Sequence, residues 1–223
     1  MYHQPFRHVW RPGPATSYCV EKGFSTTFGE QCDGYARAEN GLRTLLGGPW
    51  PQPFPDRKRY NLLKAITFEV EENLLQILED SGLPKPTKVD RSQLKRLEPA
   101  YRLTGYRAVY TMTGEEFCPF AGLLDGELPW FLEGAKVFAS NSAHRERATQ
   151  ENLILAVAGL RCLLYAQYGP EVDLAIAPRD KEKQGMGYFK AQSLFQVIPP
   201  EWEEAEQYAF DPRGELTFEN YPF

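Results

Sequence analysis

Ser140–Pro170 reads SNSAHRERATQENLILAVAGLRCLLYAQYGP, and its second half decides the fold. It opens polar and charged, runs through LILAVAGL, crosses Arg161, continues CLLYA and stops at Gly169 and Pro170. The pattern predicts one long helix over 142–168. Asn141 or Ser142 can cap its start, because a short side-chain oxygen accepts an orphaned backbone N–H. Gly169 suits a left-handed C-terminal cap, and Pro170 cannot continue the helix. Apolar residues cover nearly all sides between Leu153 and Leu164, so that half belongs inside a core.

Working outward, a shorter helix is expected over Asp33–Leu46, ended by Gly47 and Gly48. The linker GGPWPQPFP follows, extended by its prolines. A second helix is expected over Asp56–Asp80, where Leu63, Ile66, Val70, Leu74 and Ile77 recur at spacings of three and four. The segment ITFEVE within it also suits a strand. LPKPTKVDRSQLKRLEP reads as a basic connector, and 101–139 as a strand-rich region opened by YRLTGYRAVYTM. Beyond the long helix, VDLAIA and YFKAQSLFQVI read as two strands flanking a charged, glycine-containing loop. Helices and strands in this order, without regular βαβ alternation, give an α+β fold. The expectation is a single domain, with the buried helix against a mixed or antiparallel sheet. It spans 25–199, between an N-terminal arm (1–24) and an acidic, aromatic C-terminal arm (200–223).

The composition supports a real core: 42% of the 223 residues are hydrophobic and 25% charged. The longest apolar run, LILAVAGL, is far short of a membrane span, so no membrane partner is expected. Four cysteines are too few to staple a chain of this length, which points to free thiols and a cytoplasmic setting, or the inside of a particle assembled there. Charge is segregated beneath the net −5. Glu201–Phe223 carries seven acids and one base, a net −6, whereas Lys85–Arg107 carries seven bases and two acids, a net +5. Such asymmetry marks interaction surfaces.

Standard catalytic and nucleotide-binding motifs are missing from the sequence. His3, His8, Cys19 and Cys32 match no metal-ligand spacing, so neither metal nor cofactor is expected. His144 and Glu146 are the candidate acid/base residues, with Asp125 as a further one. Arg145 and Arg147 beside them could hold an anion at a helix start. Arg161, a charge inside an apolar helix, must snorkel, pair with an acid or anchor a carboxylate. Lys181 and Lys183 lie in a loop that could touch phosphate. The plainer reading of each group is a solvated or locally paired charge.

Three functions follow. The first is a structural or adaptor subunit of a homo- or hetero-oligomeric assembly, a virion or other large particle being one setting. It would bind other protein subunits through its arms, with Trp202, Tyr208, Phe210, Lys95 and Arg96 at interfaces. The second is an enzyme acting on an anionic substrate at the start of the 142–168 helix. The third is nucleic-acid contact through Lys85–Arg107, through phosphates and stacking on Tyr101 and Tyr106. An acidic pI of 5.4 weighs against the third, and the missing motifs make an enzyme less expected than a subunit.

Overall fold

A computed structural model describes residues 9–14, 26–47, 56–80, 83–84, 86, 89–133, 145–176 and 193–207. Among them are five α-helices: α1 (Thr26–Leu46), α2 (Asp56–Asp80), α3 (Arg91–Tyr101), α4 (Gln150–Tyr168) and α5 (Glu171–Ile176). Three strands, β1 (Arg107–Tyr110), β2 (Glu116–Phe117) and β3 (Phe195–Ile198), form an antiparallel sheet in the order β2-β1-β3. Short 3-10 turns follow α3 at Leu103–Gly105 and β3 at Glu204–Glu206. The fold is α+β, with α4 at its centre packed against α1, α2, α5, β1 and β3.

The apolar run explains why α4 is central. Leu153, Ala156, Val157, Ala158, Leu160, Cys162, Leu163 and Leu164 are all buried, so no face of its middle is left to solvent. Its ends differ from the sequence expectation on one side only. The helix starts at Gln150, not at 142, because Thr149 is the cap whose hydroxyl accepts from the Asn152 N–H at 3.1 Å. It ends at Gly169, whose φ of 63° favours glycine and whose N–H donates to the Tyr165 carbonyl. A β-carbon there would also collide with the indole of Trp10.

α2 has the expected bounds, with Leu63, Ile66, Val70, Leu74 and Ile77 all buried, so ITFEVE is helical. α1 starts seven positions before the expected Asp33. Buried polar pairs fix these helices around α4. Gln167 donates to Asn73 Oδ1 of α2 at 3.0 Å, and the Tyr168 hydroxyl donates to Gln31 Oε1 of α1 at 2.8 Å. Buried Glu39 of α1 accepts from the Leu194 N–H and, at 3.1 Å, from the Ser193 hydroxyl, tying α1 to the start of β3.

Three local readings of the sequence are corrected. The basic connector contains α3, capped by reciprocal bonds between Asp90 and Gln93, with Leu94, Leu97 and Tyr101 buried at helical spacing. VDLAIA is not a strand: Glu171–Ile176 is helical, since a short apolar run cannot choose its period alone. Between 101 and 133, only 107–110 and 116–117 are strands, and Cys118–Glu133 is a series of turns. The rest of the expected strand region, 134–139, lies outside the described residues, as do 188–192 of YFKAQSLFQVI.

β1 is the middle strand. It pairs Ala108 with Phe117 on one side and Ala108 with Val197 on the other. The turns after β2 bring Trp130 against α4. Its indole N–H donates to the Pro119 carbonyl at 2.7 Å, and its ring edge lies where a β-carbon of Gly159 would be, 2.8 Å from Cζ2. Gly159 thus permits the close approach of the turn segment to the central helix.

Candidate functional site

A cleft of about 420 Å³ opens beside the start of α3. Its lining includes Arg91, Gly126, Glu127, Pro129, Glu133 and Arg147. Arg91 is the first residue of α3, placed there by the Asp90 cap, and its Nε donates to Glu133 Oε1 at 2.5 Å. Arg147 precedes the Thr149 cap of α4. Its Nε donates to the Pro129 carbonyl and its Nη2 to the Leu128 carbonyl, both at 2.7 Å. Two backbone carbonyls therefore aim one guanidinium at the cleft while a carboxylate aims the other. Partial burial lowers the Arg147 pKa, the charge of Arg91 lowers it further, and Glu133 opposes both. Two like charges are held close enough to repel, and a carboxylate is bonded to one of them, Arg91.

A second constellation joins the two ends of the described chain. The Arg11 guanidinium lies 4.7 Å from the centre of the Trp202 ring, and that of Arg102 lies 5.1 Å from it. Arg102 also pairs with Glu206 and donates to the Glu201 carbonyl at 3.0 Å. Arg11, itself buried, donates to the Glu206 carbonyl at 3.1 Å and lies 3.4 Å from the Ala100 carbonyl at the end of α3. The Trp10 backbone N–H donates to the Ala166 carbonyl of α4 at 2.8 Å. Residues 9–11 and 201–207 are therefore clasped together over the C-terminus of α3. Arg102 has the left-handed backbone that ends that helix, with φ 48°.

The residues expected to act fall in different places. Arg147 lines the cleft, whereas Arg145, which is helical, and Glu146, in the turn before α4, are exposed. None of the three is in the first turn of a 142–168 helix, because α4 begins later. Arg161 is buried, pairs with Asp173 of α5 and lies 5.2 Å from the Tyr35 ring centre. Its Nε and Nη1 meet no hydrogen-bond partner among the described residues. Lys95 donates to the Leu124 carbonyl at 2.6 Å, Arg96 is exposed, and Trp202 lies in the clasp. Asp125 is exposed in the turn ahead of Gly126. His3, His8, Cys19, His144, Lys181, Lys183, Tyr208 and Phe210 lie outside the described residues.

Arg91, Glu133 and Arg11 were not singled out by the sequence. Arg91 was one charge in a basic run, and the D-x-x-Q cap at Asp90 was the signal that could have placed it at a helix start. Nothing local marks Glu133. Among the described residues, no three metal-ligating side chains cluster and no helix is long and apolar enough to cross a membrane. The buried thiols are poor nucleophiles: burial pushes Cys32 up to about 12 and Cys162 higher still, although Arg161 opposes both. Compared with models of protein families, with curated proteins and with solved structures, the chain matches none.

Proposed function

We propose that the protein is a structural or adaptor subunit of a multi-chain assembly, binding its neighbours through its two arms. The observation that carries this reading is the clasp. Arg11 and Trp202 lie far apart in the sequence, yet the Arg11 guanidinium lies over the Trp202 ring, and that of Arg102 lies over the same ring. The described part of the C-terminal arm ends at Gln207, next to the Glu206 carbonyl that accepts from Arg11 of the N-terminal arm. Described residues of both arms thus touch at one patch, so a partner there could engage them together and gain from the linkage. The acidic excess of Glu201–Phe223 and its aromatics suit a surface that is steered by charge and held by buried rings.

The test is solution mass at several concentrations, with co-purifying chains identified. The expected result is a mass above the 25.5 kDa of one chain that falls on dilution. Deleting 208–223 should return the chain to a monomer that is still folded. A full-length chain that stays monomeric at every concentration, with no companion chain, refutes the proposal.

A further inference from the structure

The cleft between α3 and the turn before α4 has chemistry that the assembly reading does not use. A guanidinium carries more N–H donors than Arg91 and Arg147 spend on Glu133, Leu128 and Pro129. The donors left over belong to two side chains that line one concave space of about 420 Å³, within the range of small-molecule sites. Repulsion between them is relieved by whatever anion lies between.

We infer that this cleft binds the carboxylate of a small organic acid, gripped by Arg147 and Arg91. Glu133 supports this choice, since a carboxylate of the chain itself already bonds to Arg91. A second carboxylate would complete an alternating row of Glu133, Arg91, ligand and Arg147. Charge favours a monoanion over a phosphate dianion. Glu127 and Glu133 line the same cleft, so the four side chains cancel formally, and a doubly charged ligand would face two carboxylates. Exposed Pro129 offers a neutral wall for the organic body. The site belongs to the single chain and stands whether or not the arms assemble it with others.

The full chain should be titrated with phenylacetate, phenylacetamide and inorganic phosphate at constant ionic strength, followed by amide chemical shifts. Phenylacetate should give saturable shifts centred on Arg91, Gly126 and Arg147. Its neutral amide should bind on the order of 10-fold more weakly, because charge-assisted hydrogen bonds are lost. Substituting Arg147 removes two carbonyl contacts and can disturb folding, so two other variants decide the matter. Arg91→Gln should weaken phenylacetate by about 10-fold, while Glu133→Gln should tighten it roughly 3-fold or more by removing a competitor for Arg91. Absent saturation, equal affinity for the amide, stronger binding of phosphate, or a Glu133→Gln variant with unchanged affinity would each overturn the inference.

Discussion

Replacing Gly159 by Ala sets two effects of opposite sign against each other inside α4. An alanine in a helix interior is favoured over glycine by about 1 kcal/mol. Against this, the added β-carbon would lie 2.8 Å from Cζ2 and 3.0 Å from Cη2 of Trp130. Carbon atoms in ordinary contact sit about 3.5–4.0 Å apart, so the ring must retreat by roughly 0.7 Å. It has nowhere to go. Trp130 is fully buried, its N–H is fixed to Pro119, and Phe120 and Phe131 pack edge-on at 5.6 and 5.8 Å. Overpacking of this kind costs about 1–3 kcal/mol, and the rigid surroundings place it near the upper end. The net expectation is a loss of about 2 kcal/mol, which lowers Tm by about 4–8 °C for a domain of this size. Urea titration followed by far-ultraviolet circular dichroism measures it. A Trp130→Leu background removes both colliding carbons, and there Gly159→Ala should turn stabilising by about 1 kcal/mol. A Gly159→Ala variant more stable than the parent, or the same loss in both backgrounds, would refute the packing of Trp130 on Gly159.

Three further outcomes are expected. Trp202→Ala should cost about 3 kcal/mol in urea titration, as for other buried aromatics, whereas neutralising exposed Glu203 and Glu204 should change stability by under about 0.5 kcal/mol. At pH 8 a water-soluble maleimide should label Cys118, which is exposed, long before buried Cys32 and Cys162; equal rates read by peptide mass would contradict their burial. Stability should also fall on the alkaline side. Cys32 and Cys162, ordinarily at 9.0, and Tyr35, Tyr106 and Tyr168, ordinarily at 10.0, are all held protonated by burial. The unfolded chain releases these protons first, so their contribution is complete below pH 9 and declines above it. The decline approaches about 1.4 kcal/mol per group per pH unit, and a urea midpoint unchanged between pH 8 and 11 would contradict it.

The long apolar helices were legible because their period repeats enough times to be read. α2 has its expected bounds, and Ala156–Leu164 is buried on all sides. Short elements were not legible. The six residues of α5 contain too little pattern to separate helix from strand. α3 is hard to read because a dense run of charges surrounds its Leu94, Leu97, Tyr101 spacing. Turns such as Cys118–Glu133 are stabilised by tertiary contacts, Trp130 above all, so their aromatics resembled strands. The cleft illustrates the same limit. The sequence pattern puts Arg147 at a helix start it does not occupy, and its actual neighbours, Arg91 and Glu133, lie 56 and 14 positions away in sequence. Likewise, the partner of Arg161 could be required by desolvation but not identified as Asp173.

The clasp also has a temporal side. Arg11 bonds to a carbonyl 195 positions later, and the middle strand of the sheet waits for a partner that begins at Phe195. Helices α1 and α2 are local and can form as soon as they leave the ribosome. The β1–β3 pairing and the seat of Trp202 cannot exist until Phe195–Ile198 and Trp202 have emerged. Closing such distant contacts slows folding, and it leaves one face of the helical core uncovered during synthesis. A chain cut short before Trp202 would remain in that open condition, and it should be recognised by chaperones as unfinished even though its helices are in place.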